Sequence, residues 1–395
     1  MFDSPYLENT KTPTPSAIFL LGSLMAEDGV QSALIHQARW FYGRGYRVVA
    51  AFLGDGENLH GRWQARLPVP LVNLRALRAG AGPIAGLFHG LKALLRASQL
   101  FAIGEFTMIE TFGVEANLFG LPLARLAGVP VRVANYPCQP SPARAGAKSI
   151  HTRLVNRFAT RVVAATAWSR QLAIAEGVSA ELISVVPRGV AEAEEIDWQY
   201  RRRLRSELDI PEDGCLIVSA GGLNSAQAYD ELLLAAPRVL AQFPLCRFAL
   251  VGEGAARPAL IERARQLGIA ACLRFPGRRP DLLRLIAAAD IYFLPAPDQG
   301  LPPYLLEAMA AHRPIVAIDS EPLREFVQPG QSALLVEPGA PERLAHALIA
   351  LISDTETRTR LGKTAYGCIQ QEYSLERMCA QYAVLLDPAC HVEVS

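Results

Sequence analysis

Apolar runs of strand length recur along this chain with helical runs between them, and the alternation occurs twice. In the first half, strand-like runs fall at residues 16–21, 46–53, 71–74, 106–111, 131–135, 161–165 and 183–187, with helical periodicity at 30–42, 84–97, 117–127, 148–158 and 168–175. The second half repeats the scheme with strand-like runs at 215–220, 247–251, 272–275, 291–294, 314–318 and 333–336. Parallel strands need a crossover, and a helix supplies it, so each half predicts a parallel sheet covered by helices on both faces. Domain boundaries are expected at 1–190, a charged connector at 191–210 (beginning AEAEEIDWQYRRRLRSEL), and 211–372.

At 395 residues and 51% hydrophobic, the chain is long enough to bury two cores. No run reaches the roughly 18 apolar residues of a membrane span, and MFDSPYLENTKTPTPS lacks the basic start and apolar middle of a signal peptide. A soluble, cytoplasmic protein is expected. The seven cysteines form no C-x-x-C pair and read as small buried hydrophobes in a reducing compartment; with histidines equally dispersed, no metal is expected. Charge is split: through Val190 there are 19 Lys and Arg against 11 Asp and Glu, and beyond it 20 against 27. Residues 116–175 hold no carboxylate but eight basic side chains, Arg125, Arg132, Arg144, Lys148, Arg153, Arg157, Arg161 and Arg170. Such a face suits an anionic acceptor or a peripheral anionic membrane surface, and equally a solvated helix face. Sparse aromatic interleaving argues against nucleic acid.

The segment 291–312, IYFLPAPDQGLPPYLLEAMAAH, carries the most chemistry. An apolar strand breaks at Pro295, crosses a loop, and restarts at Pro302 and Pro303 as a helix containing Glu307. Ligands of open parallel sheets bind beyond the carboxyl ends of the strands. A carboxylate there accepts two hydrogen bonds at once, as a vicinal diol such as ribose offers. The loops AGGL (220–223) and VGEG (251–254) hold glycines that let backbone N–H groups approach phosphate, or that simply make tight turns.

This run resembles the nucleotide-sugar segment of retaining glycosyltransferases of the GT-B, family-4-like group. The resemblance extends from about residue 16 to 386 and implies two Rossmann-like doubly wound α/β domains facing an interdomain cleft, with a final helix at about 373–388 packing back on the first domain. It also implies a nucleotide-sugar donor, a lipid-linked or anionic saccharide acceptor, and no metal or other cofactor. The family places a Glu in the loop eight residues before the helix Glu; here that position is Gln299, followed by Gly300 and Leu301. The family's diphosphate-binding Arg and Lys, in a G-R-L…K pattern, correspond to Gly222 and Gln227 in AGGLNSAQAYD. Replacement cations are sought in Arg278, Arg279 and Arg188. Where the first domain usually carries a His facing the sugar, this chain has Asn135, Tyr136, Pro137 and Cys138. Glu110 and Glu115 are expected to cap the following helix, with acceptor binding as the other reading.

The resemblance therefore implies a catalytic set of Gln299, Asn135 and Tyr136. It implies a donor-binding set of Glu307, Gly221, Gly222, Gly252, Arg278, Arg279, Arg188, Gly300 and Leu301. Two functions remain open: a glycosyltransferase of surface polysaccharide or glycoconjugate assembly, or a catalytically impaired relative that serves as a binding module or subunit of an active partner glycosyltransferase.

Overall fold

The structure, a computed structural model, describes residues 15–23, 29–55, 58–76, 83–136, 145–295 and 304–387. The chain divides into two compact units, Met1–Gly189 with Leu375–Ser395, and Val190–Ser374.

The first unit runs β1 (Ser16–Ser23), α1 (Gly29–Gly43), β2 (Arg47–Gly54), α2 (His60–Gln64), β3 (Leu71–Asn73), α3 (Pro83–Gly104) and β4 (Met108–Phe112). It continues through α4 (Val114–Leu126), β5 (Val131–Asn135), α5 (Ala145–Phe158), β6 (Arg161–Ala164), α6 (Ala167–Ala175) and β7 (Ile183–Val185). Its seven strands lie in the order β3-β2-β1-β4-β5-β6-β7, all neighbours parallel. Successive residues of β1 serve opposite cores: Ala17, Phe19 and Leu21 pack with α1, whereas Ile18 and Leu20 pack with Ala97 and Leu100 of α3. That alternation is why β1 reads as a continuous apolar run. Thr166 and Ser169 close a reciprocal capping box at the start of α6. Asp55 accepts from the N–H groups of Leu59 and His60 at the start of α2, a turn role for this carboxylate.

The second unit runs α7 (Trp198–Glu207), β8 (Leu216–Ala220), α8 (Gln227–Gln242), β9 (Arg247–Val251), α9 (Arg257–Gln266), β10 (Leu273–Gly277) and α10 (Leu282–Ala288). It ends with β11 (Ile291–Leu294), α11 (Leu305–Ala310), β12 (Ile315–Ile318), β13 (Leu334–Val336), α12 (Pro341–Ser353) and α13 (Thr355–Glu372). Strand order is β10-β9-β8-β11-β12-β13, again parallel throughout. This is the order of a Rossmann sheet, with its reversal between β8 and β11. The expected connector at 191–210 is corrected here: Tyr200, Leu204, Leu208 and Ile210 are buried in this unit's core, so α7 is part of the domain.

The last helix, α14 (Leu375–Leu386), belongs to the first unit, where Met378, Cys379, Tyr382, Ala383 and Leu386 join the core around Phe19 and Phe41. The chain crosses between units at Gly189–Val190 and at Ser374–Leu375. Val190 N donates to Tyr373 O at 2.9 Å, so the two crossings run side by side.

Candidate functional site

In the second unit the strand order reverses between β8 and β11, the topological switch point beyond whose carboxyl ends open parallel sheets bind ligands. Tyr292, fully buried in β11, donates its hydroxyl to Ala220 O at 3.4 Å, joining the ends of the two strands. Burial first, then the charge of Tyr229 and of Glu307, holds the Tyr292 hydroxyl well above the usual phenol range. The Glu307 carboxylate therefore acts on this hydroxyl from the first turn of α11, where its neighbours Leu305, Leu306, Ala308 and Met309 are buried and Glu307 is half-buried. Tyr304, just before α11, has φ of 58°, an uncommon conformation for a residue with a side chain.

The glycines of the loops after β8 and β9 serve the close approach of one loop backbone to the other. A Cβ on Gly252, whose φ is +143°, would stand 1.9 Å from Gly221 O, and one on Gly254 would stand 2.2 Å from Leu223 O. The loops after β8 and β9 are thus zipped together: Gly221 N donates to Val251 O, Leu223 N to Glu253 O, and Ala256 N to Leu223 O. Gly252 N donates to Gly277 O. The N–H groups of Gly221 and Gly252 are spent within the protein, which corrects their assignment as phosphate donors. Gly222 is exposed, outside that zipper, and a Cβ there meets only the Asn224 side-chain amide, at 2.8 Å.

Among the candidate cations, Arg279 is committed elsewhere. Its guanidinium bonds both oxygens of Asp281 at 2.8 and 2.9 Å and reaches both oxygens of Glu207, while Tyr200 donates to Asp281 at 2.8 Å. Arg279 pushes Asp281 down to about 2, and the two carboxylates hold Arg279 charged. Its side chain is only 12% exposed and rivets α7 to the turn before α10, so the donor-binding assignment of Arg279 is corrected. Arg278 is exposed and makes no ion pair among the described residues. Arg188 is half-buried in the first unit. Gln299, Gly300 and Leu301 lie outside the described residues.

In the first unit, Asn135 and Tyr136 turn inward, contrary to expectation. Asn135 donates its amide to Glu110 Oε1 at 2.7 Å and accepts from Tyr382 Oη of α14 at 2.7 Å. Tyr136 is buried and donates its hydroxyl to Glu176. Glu110 does not cap a helix: it is fully buried in β4, and burial pushes its carboxyl up to about 8 against the opposing effect of Asn135 and Gln37. Glu115 does lie in the first turn of α4, with Oε2 3.3 Å from the position of a Cβ on Gly22 at the end of β1. Below it, His151 Nε2 and Asn117 Nδ2 are 3.1 Å apart, and Thr111 donates to Asn117 Oδ1 at 2.6 Å. Sequence reading missed Tyr292 and Tyr382 because each sits inside an apolar run, and only their hydroxyls signalled that a polar partner was needed.

Residues 28–189 match the Glycosyl transferase 4-like domain and residues 201–367 match Glycosyl transferases group 1. The chain is 29% identical over 182 residues to the lipopolysaccharide core biosynthesis glycosyltransferase LpsE of Rhizobium meliloti (strain 1021), covering 46% of this chain and 52% of LpsE. It is 32% identical over 236 residues to the D-inositol 3-phosphate glycosyltransferase of Geodermatophilus obscurus, covering 57% of this chain and 52% of the relative. The chain spans about half the length of these two curated relatives. The crystal structure of Anabaena HepE in complex with UDP superposes with a TM-score of 0.76 at 22% identity, over 93% of this chain and 98% of that one. With two parallel, helix-covered sheets in the GT-B manner, the chain carries a glycosyl transferase 4-like domain followed by a glycosyl transferases group 1 domain.

Proposed function

We propose that the protein transfers a sugar, with retention of anomeric configuration, from a nucleoside-diphosphate sugar to a saccharide or lipid-linked acceptor in surface polysaccharide assembly. The observation that carries this reading is the half-buried carboxylate of Glu307 in the first turn of α11, the helix that follows β11 at the reversal of the second sheet. A carboxylate there is suited to accept both ribose hydroxyls of a nucleotide, and HepE, which shares the fold, binds UDP. LpsE, a relative over about half its length, belongs to lipopolysaccharide core biosynthesis, which favours a saccharide acceptor.

Retaining transfer passes through an oxocarbenium-like state while negative charge grows on the departing diphosphate, so catalysis rests on charge placed against that leaving group. Gly222 and Gln227 bring none, and Arg279 is neutralised by Asp281 and Glu207. Arg278 is the exposed guanidinium closest in sequence to the end of β10, and we assign it to the diphosphate. The Gln299–Leu301 loop is assigned to the sugar.

The test is release of nucleoside diphosphate from a panel of nucleotide-sugars with saccharide acceptors, together with the anomeric configuration of the product by NMR. The expected result is turnover with retention that falls by about one to two orders of magnitude in Arg278→Ala, the size of a lost charged hydrogen bond. Inversion, or turnover unchanged in Arg278→Ala, would contradict the assignment.

A further inference from the structure

We propose that Cys215 and Cys246 form a reversible dithiol–disulfide site at the amino-terminal edge of the second sheet. The two residues immediately precede β8 and β9. The ladder pairs Leu216 with Arg247, which sets Cys215 opposite Cys246 one step earlier, and Arg247 N donates to Cys215 O at 2.8 Å. Neighbouring strands run about 4.8 Å apart, inside the Cα separation of about 4.4–6.8 Å that a disulfide spans. Both side chains also face the same way, for Cys246 belongs to the core cluster around Ile217 and Phe248, and Cys215 packs against it.

The segments carrying the two thiols are in direct backbone contact, since a Cβ on Gly214 would stand 2.3 Å from Leu245 O. The Cys215 thiol, ahead of burial, holds the Cys246 thiol far above its ordinary range. Cys272 is the natural comparison and is excluded by register. It pairs with Arg247, whose guanidinium it meets at 3.8 Å, so it lies on the opposite face from Cys246.

Exposure sets the order of reaction. Cys215 is half-buried and Cys246 is 1% exposed, so an oxidant meets Cys215 first. With a low-molecular disulfide such as oxidised glutathione, the Cys215 sulfur loses its proton and attacks one glutathione sulfur. This expels the first glutathione thiolate, which takes up that proton, and leaves a mixed disulfide. The Cys246 sulfur then attacks the Cys215 sulfur, and the second glutathione leaves with the Cys246 proton. Two protein thiols are oxidised and one glutathione disulfide is reduced to two thiols. The site lies at the amino-terminal ends of β8 and β9, away from the carboxyl ends at the sheet reversal, and the inference does not rest on the transferase reading.

The full-length native protein, equilibrated with mixtures of reduced and oxidised glutathione, would be quenched with an alkylating reagent and mapped by mass spectrometry. The expected result is a peptide pair joined through Cys215 and Cys246, with two fewer alkylated thiols, reversed by dithiothreitol and unchanged in Cys272→Ser. Cys215→Ser should leave Cys246 fully alkylated after denaturation. The wild-type map decides the matter even where that variant folds poorly. Full alkylation of both cysteines in the native protein under oxidising mixtures, glutathione retained on Cys215 without bridging, or a bridge to Cys272 would each overturn the proposal.

Discussion

Gly222 is the glycine of the β8 loop that tolerates a side chain, because a Cβ there meets only the flexible amide of Asn224, whereas Gly252 and Gly254 abut backbone carbonyls. Gly222→Arg combined with Gln227→Lys should therefore fold and should tighten nucleoside diphosphate binding by about 1.5–3 kcal/mol per restored charged hydrogen bond, measured by titration calorimetry. Unchanged affinity would show that the diphosphate does not pass this loop. Glu110 provides a second test at this scale. Its carboxyl is raised from 4.5 to about 8 by burial, so the folded protein keeps a proton that the unfolded chain has released between those values. The contribution is fully favourable below pH 4.5 and is lost as pH rises to 8, with a slope of at most about 1.4 kcal/mol per pH unit. Glu110→Gln should remove that slope from urea-unfolding free energies measured between pH 5 and 8, and an identical slope in the variant would contradict the assignment. The position of Glu307 was legible in the sequence because a carboxylate inside an apolar helical run demands an explanation. The commitments of Arg279, Asn135 and Tyr136 were not, because their partners Glu207, Glu110, Tyr382 and Glu176 lie up to 247 residues away in the chain.

Element boundaries followed closely from periodicity in some buried strands: β9 and β11 coincide with the apolar runs at 247–251 and 291–294, whereas fully buried β4 begins two residues later than its run at 106–111. The helix α7 did not read as core because its charged residues mask a stripe at Tyr200, Leu204 and Leu208, spaced four apart and buried. What fixes α7 is also polar. Arg279 bridges Glu207 and Asp281, Tyr200 donates to Asp281, and Arg284 lies 4.1 Å over the Tyr200 ring. Arg279→Ala leaves the partly buried Asp281 without its cation and should cost about 1–3 kcal/mol in urea unfolding. A loss under a few tenths of a kcal/mol would place this network among exposed pairs that contribute little.

At the scale of the whole molecule, no helix among the described residues is long and apolar enough to cross a membrane. The packed helices α4 and α5 nevertheless expose Leu126, at 84%, and Ile150 beside Arg125, Arg153 and Arg157. That mixture favours association with anionic vesicles, which should weaken with salt because exposed charges are screened over about 8 Å at physiological ionic strength. Equal sedimentation with neutral and anionic vesicles at low salt would leave these residues a role in solubility alone. Parallel order was legible from two runs of alternation and the return of the last helix from the family resemblance, while the zipping of the β8 and β9 loops was not, since a glycine signals close approach without naming what approaches. The central claim is that a nucleotide-sugar sits at the β8–β11 reversal against Glu307, and calorimetric titration of a nucleotide-sugar panel into the wild type and Glu307→Ala tests it most directly. The account predicts that at least one donor binds the wild type, and that the variant binds it more weakly by about 1.5–3 kcal/mol. Failure of every donor to bind, or equal affinity in the two proteins, would contradict it.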